Sequence, residues 1–481
     1  MPNKSAACAL GLKSEQIGGV RARTKERLPD AVEQAAREVK DDLVAPDTER
    51  ANVDARRIDT GVDEEGANRQ GPRQGQAPCR AGNAALGAGI SLELQAQALV
   101  GGEADPPYGR MAIPYFLIGN IADSGTFLRK SDDPYDGQGI RYVQGIAEDL
   151  AADDGKLTLA DGQQLDFDKL LISTGSHPIK PPIDGLDLPA VHHCWTLQDA
   201  RDICGLIGEG KDVVLMGAGF IGCIIMEALA LSGSNLTVIE AQDRMVPRMM
   251  NKTAGDMIAN WCRSKGVNVM TSAKVTGVAE DGGKLSITVD NGETLPADLL
   301  VVATGVRSNM DFASGSGIDM DIGIKVDDHL QSSINSIYAA GDVAQGPDFS
   351  TGGWDVHAVQ PTSVDHGRIA ALNMAGHDVT YQGSLNMNVL DTVGLISCSF
   401  GLWQGVEGGD SSEKVDTANS RYTLLNFDGD LLVGAVTLGR TDHIGVLRGL
   451  IQSRIRLRGW KDKLMEDPNL FVEAYVDLTR T

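Results

Sequence analysis

The stretch VVLMGAGFIGCIIMEALALSGSNLTVIE, residues 213–240, places an apolar strand, a glycine turn and an apolar helix in direct succession. Its three turn glycines stand in the order GxGxxG. The first allows a tight turn, the second lets the backbone approach a diphosphate, and the third lets the helix pack on the strand. Unpaired N–H groups at the helix start then face the diphosphate. The predicted cofactor-binding residues of this turn are Gly217, Gly219, Phe220, Ile221 and Gly222.

A second predicted strand, residues 236–239, ends in an acid at Glu240, about twenty residues beyond the turn. A carboxylate in this position binds the adenosine ribose hydroxyls and repels a 2′-phosphate. Ala241 and Gln242 carry no charge that could hold such a phosphate. We therefore predict that the unit binds NADH in preference to NADPH.

The whole-chain composition narrows the class of protein. A length of 481 residues corresponds to about three domains. The net charge of -23 argues against nucleic acid and anionic membranes as partners. No apolar run is long enough to span a bilayer, and the first residues lack the apolar core of a signal peptide. The seven cysteines are scattered and never spaced C-x-x-C, which predicts reduced cytoplasmic thiols and no metal site.

Two strand-to-Thr-Gly turns flank the nucleotide unit. Residues 170–172 lead to Thr174 and Gly175, and residues 299–302 lead to Thr304 and Gly305. An inserted nucleotide domain leaves and rejoins a host domain in this way, and these four residues are predicted to contact cofactor. Further along, Gly341 and Asp342 follow a third apolar strand, where a carboxylate can accept a hydrogen bond from a sugar-like hydroxyl.

The chain resembles the FAD- and NAD(H)-dependent pyridine nucleotide-disulfide oxidoreductase superfamily, in the branch of NADH:rubredoxin reductases and nitrite reductase flavin domains. The resemblance covers about residues 98–481 and rests on the motifs PPYGRMAIPYFL, ISTGSHP, GAGFIG, VVATGVRSN, YAAGDVA and HAVQPTSVDHGRIAALNMAG. It implies FAD as well as NAD(H). By the same resemblance Asp342 binds the flavin ribityl chain, Gly341 opens the approach to FAD, Arg110 and Pro114 lie by the isoalloxazine, and Glu227 approaches the nicotinamide.

The predicted fold class is α/β, with two doubly wound Rossmann-like nucleotide-binding domains, the first degenerate at its N-terminus, and a small α+β C-terminal domain. The predicted division is a poorly ordered or degenerate region with a remnant FAD unit at 1–97, FAD-binding parts at 98–195 and 305–380, an inserted NAD(H)-binding domain at 196–304, and a rubredoxin-reductase-like domain at 381–481. Residues 1–27 and 45–80 have the composition of disorder, and one short amphipathic helix is predicted at 29–44.

Two departures from the family pattern affect the chemistry. Met111 stands where disulfide-reducing and peroxidatic relatives carry a redox cysteine, and a thioether cannot form a disulfide or a flavin-thiolate pair. Disulfide chemistry is therefore not expected. In residues 70–81, where the first diphosphate turn should lie, Arg73 and Pro78 replace two of the three glycines and Gly75 remains. Either this region is a mis-framed translation of an ordinary family member, or the protein has lost tight FAD binding.

The remaining candidates have ordinary structural interpretations. His192, His193 and Cys194 resemble a ligand trio, but neighbouring side chains on an extended chain point in opposite directions, which favours packing. His357 and His366 lie in the segment that covers the flavin face in the family, and a helix-surface position is equally compatible with their sequence. The sequence leaves open whether Glu227 contacts the nicotinamide or is an exposed acid on the helix.

From residue 384 the pattern predicts strands at 395–400, 422–427 and 431–438 and a final helix at 442–456. The family places this domain over the flavin and often at a dimer interface, so a homodimer is one expectation. Four arginines near its end predict either a solvated face or a docking face for an acidic electron carrier: Arg448, Arg454, Arg456 and Arg458.

The predicted function is hydride transfer from NADH to FAD, followed by electron transfer to a one-electron carrier such as rubredoxin, ferredoxin or a reductase partner. The cofactors themselves react, so no catalytic side chain is predicted. Two alternatives stay open. One is an NADH oxidase that reduces oxygen, and the other is a cofactor-depleted NAD-binding scaffold or regulatory protein.

Overall fold

The structure is a computed structural model that describes residues 97–129, 135, 139–440 and 442–480. The helix predicted at 29–44, the disorder predicted at 1–27 and 45–80, and the glycine turn sought at 70–81 lie outside the described residues. Within the described part, three modules follow one another and share packing surfaces. We call them the outer module (residues 97–178 and 306–380), the inserted module (179–305) and the C-terminal module (381–480).

The outer module begins with short strands whose side chains are mostly exposed or partly buried. Its elements are β1 (Gln97–Gly101), α1 (Ile113–Leu117), β2 (Ile140–Gln144), β3 (Ala147–Ala151), β4 (Lys156–Leu159), β5 (Gln164–Asp166), β6 (Leu170–Ile172) and β7 (Ser176–Pro178). Strands β1 and β2 pair in parallel, while β3, β4 and β5 form an antiparallel sheet. The sequence prediction for residues 170–172 coincides with β6.

The inserted module contains a five-stranded parallel sheet in the order β11-β10-β9-β15-β8. Its elements are β8 (Val191–His192), α2 (Leu197–Cys204), β9 (Asp212–Met216), α3 (Phe220–Leu231), β10 (Asn235–Glu240), α4 (Lys252–Ser264), β11 (Asn268–Thr271), β12 (Val275–Asp281), β13 (Lys284–Val289), β14 (Thr294–Ala297) and β15 (Leu299–Val302). Helices cover the strands, so β9 and β15 are buried and continuously apolar. Because β8 supplies an edge strand, the sheet begins before residue 196.

Polar caps determine where two of these helices begin. Thr196 accepts a hydrogen bond from the backbone N–H of Asp199, whose side chain accepts one from the N–H of Thr196. This capping box fixes the first turn of α2. Asn251 accepts a hydrogen bond from the N–H of Ala254 at the start of α4. Helix α3 differs, because it begins at Gly219 with no side-chain cap.

The chain returns to the outer module through β16, which pairs antiparallel with β7. The returning elements are β16 (Val306–Ser308), β17 (Ile324–Lys325), β18 (Ile337–Ala339), β19 (Ala344–Pro347), β20 (Trp354–Asp355) and α5 (Gln360–Met374). Strand β18 pairs in parallel with β6, which lies more than 160 residues earlier in the chain. The outer module is thus completed only after the insertion.

The C-terminal module is an antiparallel sheet in the order β21-β22-β25-β24-β23 with three helices. Its elements are β21 (Met387–Thr392), β22 (Leu395–Gly401), β23 (Asp410–Asp416), β24 (Arg421–Asp428), β25 (Leu431–Leu438), α6 (Ile444–Ser453), α7 (Trp460–Glu466) and α8 (Phe471–Leu478). The prediction of a final helix at 442–456 is wrong. Helix α6 ends at Ser453, because Arg454 takes a left-handed conformation (φ 49°), and two further helices follow.

One face of the C-terminal sheet packs on the inserted module, and α6, α7 and α8 contribute to a second core on this sheet. Trp261 of α4 donates its Nε1–H to the carbonyl of Val393 (3.0 Å), and Asn251 donates to the hydroxyl of Tyr422 (2.6 Å). The C-terminal sheet therefore shares a core with α3 and α4, and the placement of this module over the flavin, implied by the resemblance, stays a prediction. Among the described residues, no helix combines the length and apolarity needed to cross a membrane.

Candidate functional site

Two glycines of the nucleotide turn are required by close backbone approach. Gly217 follows β9 with φ 105°, and a Cβ there would lie 2.4 Å from the carbonyl oxygen of Ala303. A Cβ at Gly222 would lie 2.1 Å from the carbonyl oxygen of Gly217. Both distances are far below van der Waals contact. The first glycine thus permits the turn and the third permits the helix to pack against it, as the sequence predicted.

The second glycine leaves open space in front of α3. A Cβ at Gly219 would meet no atom within 4 Å. Gly219 is the N-cap of the 12-residue helix α3 and offers no side-chain hydrogen bond, so the first N–H groups, including those of Phe220 and Ile221, lack a capping partner from it. An open helix start with free donors fits a dinucleotide diphosphate.

Glu240 lies at the end of β10, directly beside this turn. Its side chain is buried, and its carboxylate accepts hydrogen bonds from the N–H of Ala218 (2.7 Å) and of Gln242 (2.8 Å). The carboxylate therefore stabilises the glycine turn. Its predicted contact with ribose stays a prediction, because two of its acceptor positions are already used by the backbone.

Glu227 lies on α3, half-buried where the helix meets β21. Burial raises the pKa of its carboxyl, and the nearby Asp391 of β21 raises it further. Helix α3 thus places an acid against the C-terminal sheet rather than in open solvent. The nicotinamide contact implied by the resemblance stays a prediction.

The flavin-side turn is formed by Gly341 and Asp342, directly after β18. Gly341 has φ 76°, a left-handed conformation that favours glycine. One carboxylate oxygen of Asp342 accepts a hydrogen bond from Ser176 Oγ (2.8 Å), and its backbone carbonyl accepts one from Ser308 Oγ (2.8 Å). These two serines come from β7 and β16. The two linking strands therefore orient the acid that the resemblance assigns to the ribityl chain.

The two Thr-Gly turns connect the modules. Thr174 donates its hydroxyl to the carbonyl of Asn309 (2.6 Å), and Thr304 donates to the carbonyl of Ile179 (3.0 Å). Gly175 and Gly305 have positive φ angles of 68° and 119°. The threonine side chains thus hold the crossing segments together, and direct cofactor contact by these four residues stays a prediction.

Arg110 is held in a fixed position by three partners. Its guanidinium pairs with Glu103 (2.6 Å), lies 5.1 Å from the ring centroid of Trp195 and 5.6 Å from that of Tyr108, and donates to the Trp195 carbonyl. Trp195 in turn donates its Nε1–H to the carbonyl of Ser176 (2.9 Å), the residue that bonds Asp342. A continuous set of contacts therefore joins Arg110 to the flavin-side turn.

Pro114 stands in the first turn of α1, next to the exposed Met111, whose relative accessibility is 49%. Sequence reasoning did not identify Glu103 and Trp195, which carry no motif of their own, or Ser176, which lies within the ISTGSHP motif but receives no predicted role. The proximity of Glu103 to the PPYGR segment is the one sequence signal that could have suggested it.

Comparison with known proteins identifies the family. Residues 81–366 match the pyridine nucleotide-disulphide oxidoreductase family. The epsilon subunit of NADH-dependent phenylglyoxylate dehydrogenase from Aromatoleum evansii is 34% identical over 370 residues, which cover 76% of this chain and 87% of that protein. The chain belongs to the pyridine nucleotide-disulphide oxidoreductase family.

Two further similarities agree with this membership. Rhodocoxin reductase from Rhodococcus erythropolis is 28% identical over 287 residues, covering 59% of this chain and 67% of that protein. The solved covalent complex of putidaredoxin reductase with putidaredoxin has the same fold, with a TM-score of 0.73 at 22% identity, over 80% of this chain and 93% of that chain. The predicted superfamily, the α/β fold class and the function as an NAD(P)H:acceptor oxidoreductase are confirmed.

Thiol chemistry, which names the family, finds no support near the flavin-side turn. Four cysteines are buried: Cys194, Cys223, Cys262 and Cys398. Burial raises the pKa of Cys194 and of Cys262 to about 12 and that of Cys398 to about 11, and it raises the pKa of Cys223 as well. High thiol pKa values disfavour the reactive thiolate. These four cysteines are packing residues, and the replacement of the family's redox cysteine by Met111 stays a prediction.

The structure decides between the interpretations that the sequence left open for the histidines. His193 approaches the carbonyl of Val302 (3.1 Å) while Cys194 packs in the core, so no ligand trio forms with His192. His357 and His366 are both buried, which excludes a helix-surface position. The acidic group Asp327, Asp328 and His329 could approach a metal ion geometrically, but it lies on exposed loop residues of the described chain and carries no further sign of a site.

Proposed function

We propose that the protein transfers hydride from NADH to FAD and passes the electrons to an iron–sulfur or rubredoxin-type carrier protein. The observation that carries this proposal is the presence, in one chain, of an open dinucleotide turn at Gly219 and of an acid at Asp342 that Ser176 holds in position. The exposed Met111 supports it, because the resemblance expects a redox cysteine there in disulfide-reducing relatives. Bound FAD accepts two electrons as hydride and can release them singly. Without a redox thiol beside it, electrons leave the flavin directly.

The side chains of the chain bind and orient in this proposal. The start of α3 holds the NADH diphosphate, and Glu240 both supports that turn and selects against a 2′-phosphate. Asp342 keeps one oxygen for the ribityl chain while Ser176 holds the other. Arg110, fixed by Glu103 and the two aromatic rings, supplies positive charge near the isoalloxazine.

We further propose that the carrier docks on the four arginines of the C-terminal module. All four are exposed, and the recorded partners of two are neutral: Arg448 bonds Gln452 (2.9 Å), and Arg454 bonds the carbonyl of Phe349 (3.1 Å). Exposed positive charge on a protein of net charge -23 attracts an acidic partner to this face and not to the rest of the surface. Rhodocoxin reductase, a relative, is named for such a carrier.

One spectroscopic experiment tests the proposal. The purified protein is titrated with FAD, kept in excess FAD and mixed with NADH, first with dichlorophenolindophenol and then with a rubredoxin or ferredoxin. We expect a change in the flavin spectrum on binding, bleaching by NADH and reduction of the carrier, with two electrons taken up per bound flavin. Peroxide formation without carrier reduction would indicate an NADH oxidase. An unchanged flavin spectrum at saturating FAD, with NADH still bound, would indicate an NAD-binding scaffold.

Charge reversal tests the docking face separately. Arg448→Glu combined with Arg454→Glu should raise the KM for the carrier about tenfold and leave dichlorophenolindophenol reduction unchanged, because a small dye needs no docking face. The matched control is Arg141→Glu, which reverses an exposed arginine on β2. Equal carrier kinetics in the double variant and the control would assign the arginines to a solvated face.

We also propose that the protein is cytoplasmic and forms a homodimer. Buried, unpaired thiols such as Cys223 are compatible with the reducing cytoplasm. A homodimer through the C-terminal module follows from the family resemblance, and light scattering of the purified protein decides it.

A further inference from the structure

A buried histidine joins the flavin-side turn to the start of the C-terminal module. His366 lies on α5 with only 2% of its surface accessible. Its Nδ1 faces the backbone N–H of Gly341 at 3.4 Å, and its Nε2 faces Ser384 Oγ at 3.5 Å. The first contact belongs to the turn that carries Asp342. The second belongs to the segment that leads into β21.

The second segment is itself well anchored. The ring of Tyr381 meets the His366 ring edge-on, with centroids 4.8 Å apart and an interplanar angle of 90°. The hydroxyls of Tyr381 and Ser384 are 2.9 Å apart, and the N–H of Ser384 donates to the carbonyl of Pro347 (2.9 Å). His366 therefore lies between two fixed backbones rather than in a loose cavity.

The hydrogen-bond partners determine the state of the imidazole. The N–H of Gly341 can only donate, so Nδ1 must be the acceptor and the proton must lie on Nε2, toward Ser384. Burial lowers the pKa of His366 to about 4, and the nearby His357 contributes in the same direction. At neutral pH the ring is neutral and keeps this arrangement.

Helix α5 packs against the turn on the side of His366. Gly341 adopts φ 76°, and a Cβ there would lie 3.1 Å from Ser363 Oγ, so the turn sits directly against α5. On the opposite side, Ser176 and Ser308 hold Asp342. The turn is thus held by hydrogen bonds on both sides: Ser176 bonds the Asp342 carboxylate, Ser308 bonds its backbone carbonyl, and His366 bonds the N–H of Gly341.

We propose that His366 is a positioning residue for flavin binding, which holds the N–H of Gly341 and couples the Gly341–Asp342 turn to the C-terminal module through Ser384. This inference rests on the proposed function, because it takes Asp342 to be the flavin-binding acid. The competing explanation is that His366 only fills space between α5 and Tyr381.

Two substitutions separate these explanations. His366→Phe keeps a ring of similar size for Tyr381 but removes the acceptor. His366→Asn loses the ring but offers an amide oxygen at the position of Nδ1. We expect His366→Phe to weaken FAD binding about tenfold, the effect of losing one buried hydrogen bond, and His366→Asn to restore affinity to within about threefold of the unaltered protein. NADH affinity should be unchanged in both, and His377→Phe, at an exposed histidine just beyond α5, serves as the control.

Hydrogen exchange in the absence of flavin supplies a second measurement. His366→Phe should accelerate amide exchange in peptides that contain Gly341 and in those that contain Ser384, while His366→Asn should not accelerate the former. The exchange measurement still tests the inference if the unaltered protein takes up no FAD, because that result would refute only the proposed function. Should His366→Phe fail to fold, Ser384→Ala removes the acceptor of the Nε2 proton and should weaken FAD binding and protection at Gly341 in the same way, to a smaller extent.

The result that would overturn the inference is specific. If His366→Phe binds FAD and protects Gly341 as well as the unaltered protein, the hydrogen bond has no positioning role. If His366→Phe and His366→Asn lose FAD affinity equally, the histidine acts by packing.

Discussion

The nucleotide-side and flavin-side turns of this molecule are built in different ways. The nucleotide turn lies within residues 213–240, together with its strand, its helix and its acid. These elements follow one another in the sequence, and the acid Glu240 bonds the N–H of Ala218 in the turn. The flavin-side turn draws its supports from β7, β16 and α5, which are far apart along the chain. A site of the first kind can be recognised from one short stretch, whereas a site of the second kind requires the fold.

The largest expected effect concerns FAD, because the sequence departs from the family pattern where the diphosphate half of its site is expected. The segment 70–81 lacks two of the fingerprint glycines, and the family match begins only at residue 81. Loss of helix-terminus contacts to two phosphates costs about 1.5–3 kcal/mol for each charge-assisted bond. We expect FAD to separate on gel filtration, with a micromolar or weaker Kd by titration, while NADH stays bound. Stoichiometric FAD after dialysis would mean that the segment around Gly75 forms a working turn.

A matched pair of glycine variants should sharpen the contrast on the nucleotide side. Gly222→Ala forces a Cβ against the Gly217 carbonyl, so it should lower the free energy of unfolding by about 3 kcal/mol and abolish NADH binding. Gly219→Ala points into open space, so thermal stability should be unchanged while NADH affinity falls about tenfold. Thermal melts and NADH titration measure both. Equal melting temperatures for the two variants would contradict the packing seen at the turn.

Coenzyme choice should show a smaller difference. We expect kcat/KM for NADH to exceed that for NADPH by at least about tenfold, roughly 1.4 kcal/mol, because Glu240 repels a 2′-phosphate. Glu240→Gln retains an acceptor for only one of the N–H groups of Ala218 and Gln242, so it should narrow the ratio and also lower stability by about 1–3 kcal/mol. Steady-state rates with both coenzymes decide this. Similar rates in the unaltered enzyme would remove Glu240 from ribose recognition.

The smallest effect is expected where α3 meets the C-terminal sheet. The raised pKa of Glu227 means that its ionised form is disfavoured in the folded state, so stability declines as pH rises from the ordinary value of 4.5 through the raised value. Above that window Glu227→Gln should be slightly more stable than the unaltered protein, by less than about 1 kcal/mol because the side chain is half exposed. Melting curves against pH test the sign. A less stable Gln variant at pH 8 would show that the charge is favourable.

Sequence reasoning located several apolar strands well, parallel and antiparallel alike, and the long-range contacts poorly. The strands predicted at 170–172, 299–302 and 431–438 have these same ends in the structure, because a continuous apolar run leaves few alternatives. The helix predicted at 442–456 was drawn too long and was not the last, since a left-handed Arg454 has no sequence marker.

In the candidate site too, local features could be predicted from the sequence and long-range contacts could not. The roles of Gly217, Gly219 and Gly222 follow from spacing alone. The partners of Asp342 and Arg110, by contrast, come from strands and helices whose proximity is created by tertiary packing. The burial of His366 could not be predicted from the sequence either, because a single histidine within a helix carries no periodic signal of its surroundings.

The core shared by the C-terminal sheet and the inserted module has a practical meaning for anyone dissecting this chain. Apolar residues of α3 and α4 are sealed by side chains such as Leu390, Tyr422 and Val436 from the other module. Each square ångström of that apolar contact exposed to water costs about 25 cal/mol. A nucleotide-binding fragment cut away from the C-terminal module would carry a bare hydrophobic face, and it would aggregate unless that face were redesigned with polar residues.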